Sequence, residues 1–291
     1  MAYTLSSNLT NLLGSTDLLE AFMDGLVNGE TDLSWISLIP TSQNQIQNVG
    51  VNPPSQYAQV TEGADIATKS IDEGFAATYN HTNLGIGFAV SLQTKLTMPR
   101  EMLVSFLSQL GASAARRLSK DCYDLLNNGT STNGADGVPT FSASHPSNVG
   151  LMDNEATTAL DFASYEIAQR ELMTQQTPDG LLAGYRATVL IVPPALNVLA
   201  HKVNTAIYQS QDYEPNMSAG MGIRTIVAPD LTASATRWFL LDERFASFKC
   251  YILRGPSPKL IEEDEDSHRM EVRDRMIYAT GIDSWRGTFS S

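Results

Sequence analysis

The residue types best able to do chemistry crowd into one segment, DGVPTFSASHPSNVG, from Asp136 to Gly150. Asp136, Ser142, Ser144, His145 and Ser147 could in principle supply the acid, base and nucleophile of a serine hydrolase. That chemistry needs a serine on a rigid turn, a histidine within hydrogen-bonding distance and donors for an oxyanion. The chain has no G-x-S-x-G elbow. Ser144 and His145 are sequence neighbours, so in extended backbone they point to opposite sides. Pro146 restricts His145 to such backbone. Ser142 to His145 is a workable spacing without a partner signature. The segment is therefore expected to be a structural loop. Asp136-Gly137 and Pro139 make its turns, Phe141 anchors it in apolar surroundings, and Ser142, Ser144 and His145 satisfy its backbone and fasten it.

No catalytic, cofactor-binding or metal-binding residue is expected elsewhere. Gly220-Met221-Gly222 lacks the third glycine of a dinucleotide site and leads into a strand pattern. His81, His145, His201 and His268 are scattered, without metal-ligand spacing. The run Glu262-Glu263-Asp264-Glu265-Asp266 lacks the glycine and alternation of a calcium loop and reads as a solvated acidic turn. Cys122 falls in a helical pattern and Cys250 in a strand pattern, and both are expected to be buried, inert thiols. A net charge of −13 argues against direct duplex-DNA binding, though an acidic wall could stand near DNA without adhering to it. No apolar run approaches a membrane span, and the N-terminus lacks the pattern of a signal peptide, so synthesis in the cytoplasm is expected.

The elements around the segment have an unusual order. Leu9, Leu12, Leu13, Leu18, Leu19 and Phe22 form a short amphipathic pattern that Gly25 and Gly29 are expected to end. Residues from Trp35 to Pro54 read as an irregular, extended arm. A long hairpin is expected over Tyr57 to Thr94. In its second half Leu84, Ile86, Phe88, Val90 and Leu92 share one face, opposite Gly85, Gly87, Ala89, Ser91 and Gln93. Such a ribbon has no core of its own, so its apolar face needs the rest of the chain or another molecule.

A helix is predicted from Pro99 to the Asn127–Gly129 stop, with Leu103, Phe106, Leu107, Leu110, Ala114, Leu118, Cys122 and Leu125 on one stripe. The middle reads as α/β, with helices carrying Phe162, Tyr165, Ala168 and Leu172, then Leu196, Leu199, Val203 and Ile207. Strands are expected near Ala187–Val192, Ile223–Ala228, Trp238–Leu241 and Phe248–Leu253. In the last strands Arg269, Arg273 and Arg275 share a face, interrupted by Glu271, either as an exposed face or as a set that pairs across copies of the subunit. Elements that cannot cover their own apolar faces imply assembly.

Taken in order, LLNNG…DGVPTFSASHPSNVG, TPDGLLAGYRATVLIVPPALNVLAHKV, IVAPDLTASATRWFLLDE and SFKCYILRGPSPKLIEED resemble tailed-bacteriophage major capsid proteins, of the group like the Mu-like major head subunit. The resemblance covers roughly residues 95 to 291 by motif and the whole chain by order of elements. It implies an α+β, Hong Kong 97-type capsid fold. Its parts would be an N-terminal arm (1–54), an extended β-hairpin loop (55–95), a peripheral domain with a spine helix (96–150), an axial α/β domain (151–245) and return strands (246–291). It further implies hexamers and pentamers in an icosahedral shell around phage double-stranded DNA, with the extended loop lying over the adjacent subunit.

Scaffold, portal and decoration proteins would be partners, with no cofactor, no membrane and no sequence-specific DNA contact. The place of action would be the virion, after assembly in the host cytoplasm. The chain starts almost at the arm, which suggests a separate scaffold or none. Lys69 stands where some members crosslink, but no matching asparagine and glutamate accompany it, so no crosslink is expected. Leu84, Ile86, Phe88, Val90, Arg269, Arg273 and Arg275 are the candidate subunit-interface residues. The alternatives are an encapsulin-type nanocompartment shell and a cytoplasmic serine hydrolase.

Overall fold

The computed structural model describes residues 16–29, 31–51, 59–63, 65–66, 73–91, 100–147, 150–178, 180–205, 222–261 and 269–291. It is a mixed α+β structure built on one long helix. Helix α1 (Thr16–Gly29) packs along helix α2 (Arg100–Asn127), whose 28 residues span about 42 Å at 1.5 Å each. The stripe in α2 forms as its periodicity predicts: Leu103, Leu107, Leu110, Ala114 and Cys122 are buried. Tyr123 and Leu126 join them, whereas Phe106 stays partly exposed.

Gly25 does not end α1. It lies inside the helix where a Cβ would collide with the Ser108 carbonyl of α2, and Gly111 offers the same closeness to the Phe22 carbonyl. These glycines serve helix–helix approach, a use that the sequence pattern of a stop signal does not separate from termination.

The arm and ribbon pair differently from expectation. The stretch taken as irregular contains β1 (Ser37–Pro40) and β2 (Gln45–Val51). Strands β3 (Glu73–Asn80) and β4 (Thr82–Ser91) meet at His81 but are not each other's partners. β3 pairs antiparallel with β2, so the hairpin is Gln45–Asn80. β4 instead pairs with β12 (Arg269–Ile282) over ten residues, from Thr82↔Tyr278 to Ser91↔Arg269. The expected ribbon over Tyr57–Thr94 is corrected accordingly: the strand with the clean alternation belongs to the body. Strand partners at separations of nearly two hundred residues leave no local trace.

The larger sheet runs β1–β10–β12–β11, with β4 also on β12, where β10 is Phe248–Arg254 and β11 is Lys259–Ile261. A second sheet, β13–β9–β7–β8, comprises Thr288–Ser290, Phe239–Leu241, Val189–Val192 and Arg224–Val227. Helices α3 (Phe162–Thr174) and α4 (Asn197–Thr205) flank it, with Tyr165, Ala168, Leu172, Ala200 and Val203 in its core. Strands β5 (His145–Ser147) and β6 (Gly150–Met152) make a small hairpin beside it.

One apolar cluster joins α2, through Cys122, Tyr123 and Leu126, to both sheets, through Phe239, Leu241, Phe248 and Cys250. Cys122 and Cys250 are fully buried, as expected, within one apolar cluster. The neighbouring Cys250 thiol, then burial, pushes the Cys122 thiol far above its ordinary value. No helix among the described residues is long and apolar enough to cross a membrane. Lys69, Glu262–Asp266, Ile207, His268 and the leucines before Thr16 lie outside the described residues.

Candidate functional site

The segment from Asp136 to Ser147 forms a fastening. After α2 the chain turns at Asn128–Ser131, and Phe141 folds back to within packing distance of the helix end, with its N–H donating to the Gly129 carbonyl at 2.9 Å. A side chain at Gly129 would strike the Phe141 ring. His145 is fully buried and its ring stacks on Trp285, with centroids 4.2 Å apart. Its Nδ1 lies 2.7 Å from Asp136 Oδ2, and its Nε2 lies 3.1 Å from Asn154 Oδ1. Asn154 accepts from the Ser142 N–H on the same oxygen and donates to the Thr140 carbonyl and to Thr288 Oγ1.

An acid, a histidine and a third polar residue are thus in line, but the third is an asparagine. Ser142 and Ser144 hydrogen-bond to each other at 3.1 Å, and both imidazole nitrogens are already engaged. A serine nucleophile needs that histidine as its base, so the arrangement holds a loop and does not activate a hydroxyl. Asn154, which ties the loop after α2 to β13, carries no signal in the sequence.

The candidate interface residues lie on β4 and β12. Register places Leu84, Ile86, Phe88 and Val90 opposite Met276, Asp274, Val272 and Met270. Two of these side chains are covered by the same chain. Leu84 packs on the main cluster, while Phe88 stacks on Phe106 at 5.8 Å, beside Phe22, Leu107, Leu110 and Val272. Ile86 remains 50% exposed. Asp274, across from it, is buried and accepts from the Ser257 N–H at 2.7 Å and the Arg275 N–H at 2.8 Å. For Val90 and Arg269 only the register position is described.

Arg273 and Arg275 sit on the opposite, exposed face, where Arg273 pairs with Glu271. Their partners across the ladder are Gly87 and Gly85, and a Cβ at Gly87 would come within 3.1 Å of Arg273 Cγ. The glycines therefore leave a low, flat strand over which the arginine stems can lie.

A second polar knot roots the hairpin Gln45–Asn80. Asp283 accepts from the Tyr79 hydroxyl, the Lys249 ammonium and Asn48 Nδ2, and Asn48 also donates to the Tyr251 hydroxyl at 2.7 Å. Burial raises the Tyr79 phenol, and its bond to Asp283 raises it further. Lys249 is raised too, because attraction to Asp283 outweighs burial, which alone would lower it. Ile46, Ala77 and Tyr79 form the buried face of the hairpin, against Tyr251 and Ala279. Phe75 shares that face by strand alternation, yet it is 49% exposed, and Val49 is similarly open. Phe75 borders a cleft that it shares with Tyr185, Phe245 and Trp285 of the body.

The comparisons with known proteins bear on what such an arrangement serves. A family model described as phage capsid protein matches residues 76–291. The chain belongs to that family. It is accordingly a structural protein of the phage capsid. No curated protein sequence matches it.

Solved structures share the fold at low identity. The mature capsid of bacteriophage PhiM1 aligns with TM-score 0.60 and 14% identity, over 90% of this chain and 86% of the other. A structure from Mycobacterium phage Cain gives 0.58 and 11%, over 90% and 89%. A virus-like particle from Pyrococcus furiosus gives 0.53 and 13%, over 94% and 97%. The capsid protein thus shares its fold with these three structures.

Proposed function

We propose that this capsid protein is the major head subunit of a tailed phage, of Hong Kong 97 type and in the Mu-like group. It assembles through hexamers and pentamers into an icosahedral shell around double-stranded DNA. The observation that carries the reading is the β2–β3 pair, rooted by Asp283, which leaves the apolar side chains Val49 and Phe75 about half exposed. Exposed apolar side chains of that kind suit contact with another surface. In this reading the hairpin is the extended loop lying over the adjacent subunit, which moves that loop from 55–95 to about residues 45–80.

α2, with the β1–β10–β12–β11 sheet, is the peripheral domain. The β13–β9–β7–β8 sheet with α3 and α4 is the axial domain. Helix α1 and residues 31–36 before β1 belong to the arm. Ile86, Arg273 and Arg275 remain the exposed candidates for contact between copies. Assembly takes place in the host cytoplasm, with scaffold, portal and decoration proteins as further partners, and the acidic chain stands near packaged DNA without binding its sequence.

The test is electron microscopy of the purified full chain. Rings, tubes or closed shells support the reading, and discrete monomers under all conditions overturn it. A nanocompartment shell is the second reading, favoured by the likeness to the Pyrococcus furiosus virus-like particle. Particles that form inside the cell around an enzyme instead of nucleic acid would select it.

A further inference from the structure

The hydrogen bonds around His145 fix where its protons are. Asn154 has its orientation set from both ends: Oδ1 accepts the Ser142 N–H at 2.9 Å, and Nδ2 donates to the Thr140 carbonyl at 2.9 Å. A flipped amide would set two oxygens against each other and two donors against each other. Oδ1 therefore faces His145 Nε2, which has to carry a hydrogen to make the contact at 3.1 Å. The other nitrogen, Nδ1, faces a carboxylate oxygen of Asp136 at 2.7 Å, a length typical of a charge-assisted bond. Neither side chain has access to water that could substitute: His145 is 0% and Asp136 4% exposed at the side chain.

We propose that His145 is a buried imidazolium, donating from both nitrogens, and that with Asp136 it forms a proton-operated latch between the loop after α2 and the C-terminal strand β13. Its surroundings are few. Asp136 comes from the loop, with its other oxygen accepting the Val138 N–H at 3.3 Å. Asn154 follows β6 and passes the contact to Thr288 of β13. The segment before β13 contributes Trp285, stacked on the imidazole, and Arg286, whose guanidinium lies 5.0 Å from the Trp285 ring and is the other cation that interacts with Asp136.

Removing the proton leaves a neutral ring that has to keep Nε2–H for Asn154. Its Nδ1 lone pair then points at the Asp136 carboxylate, and an attraction becomes a repulsion with no solvent to screen it. Acid acts on the other member, because a protonated Asp136 no longer holds a charged partner. The latch closes with one proton on the pair, and alkali opens it by taking that proton away. This inference concerns the protomer and stands or falls independently of shell assembly.

The direct test is nitrogen NMR of the full chain labelled at histidine, in solution or as sedimented particles, near pH 7.5. The expected spectrum shows both His145 nitrogens protonated, with slowly exchanging ring protons. A ring protonated at Nε2 alone, or at Nδ1 alone, overturns the proposal. Asp136→Asn supplies the second arm. The amide can donate to Nδ1, so the contact persists while the ring becomes neutral. Proteolysis in the loop 128–144 is expected to speed up roughly tenfold in the natural chain as the pH is raised from about 6 to about 9, and to change little in Asp136→Asn. Equal pH dependence in both chains contradicts the latch. If Asp136→Asn does not fold, the spectrum of the natural chain decides alone.

Discussion

Single residues in this protein fasten segments, and the chemistry of each follows from what surrounds it. Asp242 is a second case. Burial alone would raise its carboxyl, but the Arg244 guanidinium and the backbone N–H groups of Arg186 and Arg244 hold it below the usual carboxylate range. A depressed carboxylate contributes stability above the ordinary value of about 4, and that contribution is lost as the pH falls through the depressed value. Asp242→Asn is expected to cost about 1–3 kcal/mol at neutral pH and to flatten part of the acid limb of the stability profile. Urea titrations across pH measure both, and an unchanged acid limb would show that Asp242 does not contribute to it. Asn154 and Asp283 also gather several donors, and Asp136 takes one partner on each of its oxygens.

At the scale of elements, the α1–α2 pair and the β4–β12 ladder are where expectation and structure part most instructively. Gly25→Val would set a branched side chain against the Ser108 carbonyl, and is expected to destabilise the chain by about 1–3 kcal/mol, read as a lowered thermal midpoint. A midpoint within error of the natural chain would mean that α1 can move away from α2 without cost. The alternation in β4 called for a cover over Phe88 without saying whose. Its stacking on Phe106 makes the cover internal, so Phe88→Asp is now expected to lose about 2–4 kcal/mol of protomer stability. Ile86→Lys, on an exposed side chain opposite the Asp274 carboxylate, is expected to keep the protomer folded while reducing assembly. Circular dichroism melts and sedimentation separate these outcomes, and a stable protomer with Phe88→Asp would contradict the internal role.

What was legible follows the same division. The long helix, its stop at Asn127, the α3 face and the buried strand β7 repeat locally, so their periods were readable. The structural nature of the Asp136–Gly150 segment was readable from what it lacked. Its partners were not: Trp285 and Thr288 meet it only after the chain has folded across more than a hundred positions, and Asn154, close in sequence, belongs to no periodic pattern. Strand β1 hid for the same reason, as an added edge on β10, whereas β2 pairs with β3 only 22 to 35 positions on, without an alternating pattern of its own.

At the scale of the molecule, one apolar cluster binds the long helix to both sheets. Strands β2 and β3 leave Val49 and Phe75 half exposed, and the β4–β12 ladder turns two arginines and two glycines outward. Weak contacts repeated around a closed shell sum to a stable particle, which is why no single face here needs a large apolar area. Reversing both charges, Arg273→Glu with Arg275→Glu, is expected to leave the protomer's melting midpoint nearly unchanged and to reduce particle yield, measured by sedimentation. An unchanged yield would remove this face from the assembly account.

The central claim, that the chain builds a shell by laying its hairpin on the next copy, is tested most directly by a cryo-electron-microscopy reconstruction of particles assembled from the purified chain. The account predicts closed particles with fivefold and sixfold clusters and density for residues 45–80 of each copy resting on its neighbour. Particles whose hairpins touch only their own protomer, or a chain that forms no particle under any condition, would contradict it.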